Sequence, residues 1–142
     1  MTKRTAAHVD LAQRLLASCH EATGPGGAAA LYAILSSRLT PLVGATGFRA
    51  VFGRSLKLTR SEFPALVDGV PGIEVGYETA PGQERVLQWL GELEPARGSE
   101  VAAAVYGTLL ALLGSLVGER LVWQVIRRGF PTIEQGTTEE TK

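Results

Sequence analysis

The chain has 142 residues, 45% hydrophobic and 20% charged, which suffices for one folded globular domain with a core that needs no staples. Its one cysteine, Cys19, excludes an intramolecular disulfide and makes a reducing compartment, the cytoplasm, the expected location. Fourteen Lys and Arg balance fourteen Asp and Glu, which removes any overall electrostatic drive toward nucleic acid or anionic lipid and leaves only local patches to consider.

The N-terminal stretch MTKRTAAHVDLAQ is basic, but Asp10, Gln13 and Arg14 interrupt any apolar run, so no signal peptide is read there. Over residues 6–22, Val9, Leu11, Ala12, Leu15, Leu16 and Cys19 recur at helical spacing. Gly24-Pro25-Gly26-Gly27 breaks that helix. A second helix is expected over residues 28–42, with Leu31, Ile34, Leu35, Leu39 and Leu42 on one side and Gly44 as its stop.

The clearest amphipathic pattern covers residues 46–62. At about 100° per residue, Phe48, Val51, Phe52, Ser55, Leu56, Thr59 and Phe63 share a face, while Arg49, Lys57 and Arg60 lie opposite with Arg54 beside them. Pro64 ends the helix. Residues 64–80 are different: Asp68-Gly69 and Pro71-Gly72 signal turns, and Ile73, Val75 and Tyr77 then alternate with polar residues or glycine. A turn-rich loop or a minimal β-hairpin is expected there.

A fourth helix follows over residues 83–94, with Val86, Leu87, Leu90 and Leu93 inward, Pro81 just before it and Pro95 as its stop. The fifth is expected to start near residues 97–99, with Ser99 as a cap, and to run unbroken to Arg128, about 45 Å. Gly129 and Pro131 are its stop signals. Residues 1–131 thus read as a single helical domain and residues 132–142 as a mobile polar tail.

Residues 101–118 carry no charge and meet the lower limit for a membrane span. Three features weigh against that reading. Eighteen residues reach about 27 Å, short of a ~30 Å hydrocarbon core. Glycines and alanines dilute the hydrophobicity. Arg120, Arg127 and Arg128 sit on the flank where the orientation rule disfavours them. The favoured reading is a core helix, flat along a seam of Gly107, Ala111, Gly114 and Gly118 and filled on the other side by Leu109, Leu112, Leu113 and Leu116. A charge at Gly114 is then expected to unfold the domain. The same seam would accept a helix of a second copy, so a homo-oligomer stays open.

No chemical constellation emerges. His8 and Cys19 fall on nearly the same helical face, but no CxxC, HxxxH or HExxH pattern accompanies them, so no metal is expected. The neighbours Cys19 and His20 diverge by about 100° on a helix and cannot form a nucleophile–base pair. No carboxylates are paired for acid–base work, and no cofactor is implied.

The sequence therefore predicts an all-α fold, an irregular five-helix bundle around the long apolar helix, acting as an interaction or regulatory (adaptor-type) domain rather than an enzyme. Protein contact is assigned to Arg49, Arg54, Lys57 and Arg60, to Ile73 and Tyr77 in the loop, and to Trp123, Arg127 and Arg128 at the end of the last helix. Nucleic acid is disfavoured because no aromatic residue interleaves with the basic stripe. The rival readings are a membrane-associated subunit using residues 101–118 as a span and an enzyme with an unrecognised site.

Overall fold

The computed structural model describes residues 6–23, 27–63, 79–93 and 95–129. The fold is all-α, with six helices among these residues: α1 (Ala6–Thr23), α2 (Gly27–Val43), α3 (Ala45–Thr59), α4 (Ala80–Glu92), α5 (Pro95–Val117) and α6 (Glu119–Gly129). The expected hairpin lies outside the described residues except at its end, where Thr79 opens α4.

α5 is the centre of the bundle, with α1, α3, α4 and α6 packed directly on it. Every residue from 101 to 113 is buried. α5 is long and apolar enough to cross a membrane by length and composition, yet 67% of its most apolar window lies inside the protein. Its two buried hydroxyls are both satisfied. Thr108 donates to the Ala104 carbonyl at 2.9 Å, and Tyr106 donates to the Ala28 carbonyl at 2.7 Å, tying α5 to the first turn of α2.

α3 follows its sequence pattern. Phe48, Phe52, Ser55, Leu56 and Thr59 are buried and Val51 and Phe63 half-buried, while Arg54, Lys57 and Arg60 face solvent. Burying each large apolar side chain contributes about 1.5–3 kcal/mol. Ser55 and Thr59 enter the core at little cost because their hydroxyls bond back to carbonyls of their own helix, those of Phe52 and Ser55. The rings of Phe48 and Phe52 meet Tyr32 of α2 edge-on at 5.5 and 4.8 Å, and Phe52 also touches Tyr106 of α5 at 5.8 Å. One aromatic cluster thus joins three helices.

The long C-terminal helix of the sequence reading is instead two helices meeting at an elbow. α5 stops at Val117, Gly118 adopts φ +96°, and α6 begins at the next residue. Only glycine takes that backbone conformation without a Cβ penalty. The Gly118 N–H donates to the Gly114 carbonyl at 2.9 Å, closing the end of α5. The cause of the break is burial. Val122, Val125 and Ile126 lie inward on α6, which packs on α5 and α2, whereas a straight rod would leave that face in water. Glu119 at the start of α6 and Arg127 and Arg128 in its last turn also suit the helix dipole.

The seam is revised accordingly. Gly107 and Ala111 are buried, but Gly114 is half-buried and Gly118 is exposed and outside the helix. A Cβ added at Gly114 would meet the Glu119 side chain at 2.8 Å rather than a neighbouring backbone. A charge there would displace a flexible surface glutamate, so Gly114 is not the position whose substitution unfolds the domain. Leu116, expected to fill space, is 64% exposed on the last turn of α5.

Two boundaries also move. Pro95 does not terminate α4, which stops at Glu92 with Leu93 extended; it is the first residue of α5, where a missing N–H costs nothing. Ser99 is therefore inside α5 and not its cap. α4 begins at Ala80, with Pro81 in its first turn, because the Thr79 hydroxyl accepts from the Gly82 N–H at 3.0 Å. Where α4 and α5 meet, a Cβ on Gly98 would lie 2.9 Å from the Leu90 carbonyl oxygen. Backbone cannot yield as a side chain does, so Gly98→Ala is expected to lose about 1–2 kcal/mol net of alanine's better helix propensity, seen as a lower melting temperature.

Candidate functional site

Two surface regions gather the residues singled out in the sequence. The first is the outer face of α3. Arg54, Lys57 and Arg60 are exposed, and Leu58, four residues after Arg54 and therefore beside it, is an exposed leucine at the edge of that stripe. The sequence reading passed over Leu58, although its position beside Arg54 follows from helical spacing.

Arg49 departs from this set because it is half-buried. Its backbone carbonyl accepts from the Gln83 side-chain amide at 2.8 Å, and the Tyr32 hydroxyl donates to the Gln83 Oε1 at 2.8 Å. Gln83 is itself buried, so one amide satisfies groups on α2 and α3 from α4. Burial pushes the Tyr32 phenol above its ordinary range; the Arg49 charge opposes that rise and the Glu84 charge adds to it. Arg49 therefore belongs to the joint between three helices more than to a docking stripe.

The second region is a groove of about 450 Å³ formed by α1, α5 and α6. Leu11, Leu110, Val122 and Ile126 make it apolar, while His8, Glu119, Arg120 and Trp123 supply its polar groups. His8 Nε2 and Glu119 Oε2 are 3.1 Å apart, with the histidine side chain largely covered and the carboxylate mostly in solvent. Trp123 and Arg127 are half-buried and Arg128 is exposed. Of the residues assigned to contact, Trp123 thus lines a concave surface. The sequence could not bring His8 to it, because 111 positions separate His8 from Glu119 and the elbow at Gly118 is what closes that distance.

Ile73 and Tyr77 lie outside the described residues, as does the side chain of His20. Cys19 is buried on α1, and the loss of solvation raises its thiol pKa, which makes the reactive thiolate scarce. Near the end of α3, the Arg97 guanidinium sits 5.5 Å over the Phe63 ring and pairs with Glu100 at 3.3 Å, which fixes the chain where it leaves the helix. Among the described residues no group of three or more His, Cys, Asp or Glu is placed to hold a metal ion. No protein-family model, curated protein or solved structure matches this chain, so its own geometry is the basis for a functional reading.

Proposed function

We propose that the protein is a small cytoplasmic interaction module, of regulatory or adaptor type, that acts by docking an acidic partner on the outer face of α3. The observation that carries this reading is the exposed stripe of Arg54, Lys57 and Arg60, with the exposed Leu58 beside Arg54 at its edge, on a helix whose other face is locked into the core. A row of cations with an apolar contact at its edge combines long-range attraction with a surface that gains from losing water. The rigid backing matters because a preformed face is bound without the cost of ordering it. By its place in the chain, the segment of residues 64–78 that follows α3 belongs to the same proposal.

The expected behaviour is electrostatic. Partner capture from the native cell, read by mass spectrometry, should weaken as salt is raised. The double variant Arg54→Glu/Lys57→Glu should reduce capture at least ~10-fold, since charge reversal replaces attraction with repulsion. Both side chains are exposed, so helical content by circular dichroism should not change. Undiminished capture by this variant would show that α3 presents only a solvated face.

A further inference from the structure

Independently of the α3 face, we propose that the chain pairs with a second copy of itself by exchanging α6. The elbow at Gly118 opens, α5 and α6 become one rod, and each α6 packs on the α5 and α2 of the other copy. The seat fits this occupant, because the protein's own α6 already fills it. Val122, Val125 and Ile126 lie inward on α6, which packs there on α5 and α2. The same segment from a second copy makes the same contacts, so exchange loses no packing and its balance is set at the hinge.

The hinge is a single residue. α5 ends at Val117 and α6 begins at Glu119, with Gly118 at φ +96° between them. Hydrogen bonds of helical register already reach Gly118 from both sides. Its N–H donates to the Gly114 carbonyl at 2.9 Å, and the Val122 N–H donates to its carbonyl at 3.2 Å. Bringing Gly118 to helical torsions therefore converts the elbow into a continuous helix. The last carbonyls of α5 and the first N–H groups of α6, which have no partners within their own helices, then pair with one another. So short a connection invites exchange, since a longer one would let α6 fold back freely. The opened rod bares the inward face of α6, so it is stable only when a second copy covers that face. Leu116 and Leu121, exposed on either side of Gly118, add apolar surface where two such rods pass.

The test is sedimentation velocity of the intact protein over a range of concentrations. A dimer that grows with concentration is expected, with helical circular dichroism unchanged. Gly118→Ala should strengthen dimerisation at least ~100-fold, because in each chain alanine is disfavoured about 5–30-fold at positive φ and favoured about 4–5-fold in a helix. A Cβ at Gly118 meets nothing within 4 Å, so the effect is conformational and not a clash. Inserting Gly-Ser-Gly after Gly118 should act oppositely and give a folded monomer at concentrations where the parent chain is dimeric. Exchange is distinguished from side-by-side pairing by His8→Cys and Glu119→Cys chains, unfolded and refolded together. The two native side chains meet at 3.1 Å. A short bismaleimide should therefore link one variant to the other in the dimer fraction, read by mass, and not in the monomer fraction. If Gly118→Ala fails to fold, the insertion and the cross-link still decide the matter. The proposal is overturned by a parent chain that stays monomeric at every concentration, by equal dimerisation of the parent and the insertion variant, or by a dimer in which the two cysteine variants do not link.

Discussion

Leu109→Asp is expected to leave the protein unfolded, with helical circular dichroism collapsed and no cooperative thermal transition. Leu109 is 0% exposed at the middle of α5, the helix on which α1, α3, α4 and α6 all pack. The substitution removes the apolar contacts of a fully buried leucine, about 2–5 kcal/mol if judged by truncation alone. It also buries a carboxyl group, whose unpaired transfer from water costs several kcal/mol more even if it becomes protonated. The total reaches the whole stability of a domain of this size, about 5–15 kcal/mol. Leu116→Asp on the same helix should be nearly silent, because that side chain already stands in solvent. Equal damage from the two substitutions would mean that α5 is covered along its full length, by a second copy or by lipid.

The second large effect is at Tyr106. Tyr106→Ala should cost about 3–5 kcal/mol, measured as a fall in the denaturation midpoint. The ring is fully buried and touches Phe52, so the deletion opens a cavity where α2, α3 and α5 meet. Tyr106→Phe keeps the ring and removes only the hydrogen bond to the Ala28 carbonyl. That oxygen also has a place in the intrahelical ladder, so the smaller variant should cost about 0.5–1.5 kcal/mol.

The same residue sets a pH dependence. Burial, reinforced by the neighbouring Tyr32 and Cys19, pushes the Tyr106 phenol well above its ordinary value of about 10. Above that pH the unfolded chain releases the proton and the native state retains it, so the native state binds more protons and stability falls as pH rises. The contribution is fully present below pH 10 and is lost as pH climbs toward the raised value. Tyr32 and Cys19, also raised by burial, act in the same direction, the thiol from about pH 9. Tyr106→Phe should therefore flatten the alkaline loss of stability without abolishing it. An identical slope in the two proteins would show that Tyr106 is solvated in the native state.

The candidate surfaces were legible to different degrees. The cations of α3 follow from spacing alone, since a helix buried on one side must expose the residues half a turn away. The groove does not, because no local pattern records that His8 will meet Glu119. The Gln83 bridge is similar: a glutamine near the start of a helix reads as surface, and its partners Tyr32 and Arg49 are far away in the chain. A polar side chain reveals such a role only when the groups it must satisfy are assembled around it.

The order of residues was enough to specify the helices, the inward face of α3 and the apolar character that sends α5 to the centre, because these depend on periodicity and composition over a few turns. It was not enough to place the bend at Gly118. Locally, residues 101–128 favour one rod, and glycine permits a turn without requiring it. The outcome was set by where Val122, Val125 and Ile126 find cover. Folding back onto α5 and α2 removes that face from water, and the bend that accomplishes it also makes the groove, joins His8 to Glu119 and leaves Arg120 at its mouth.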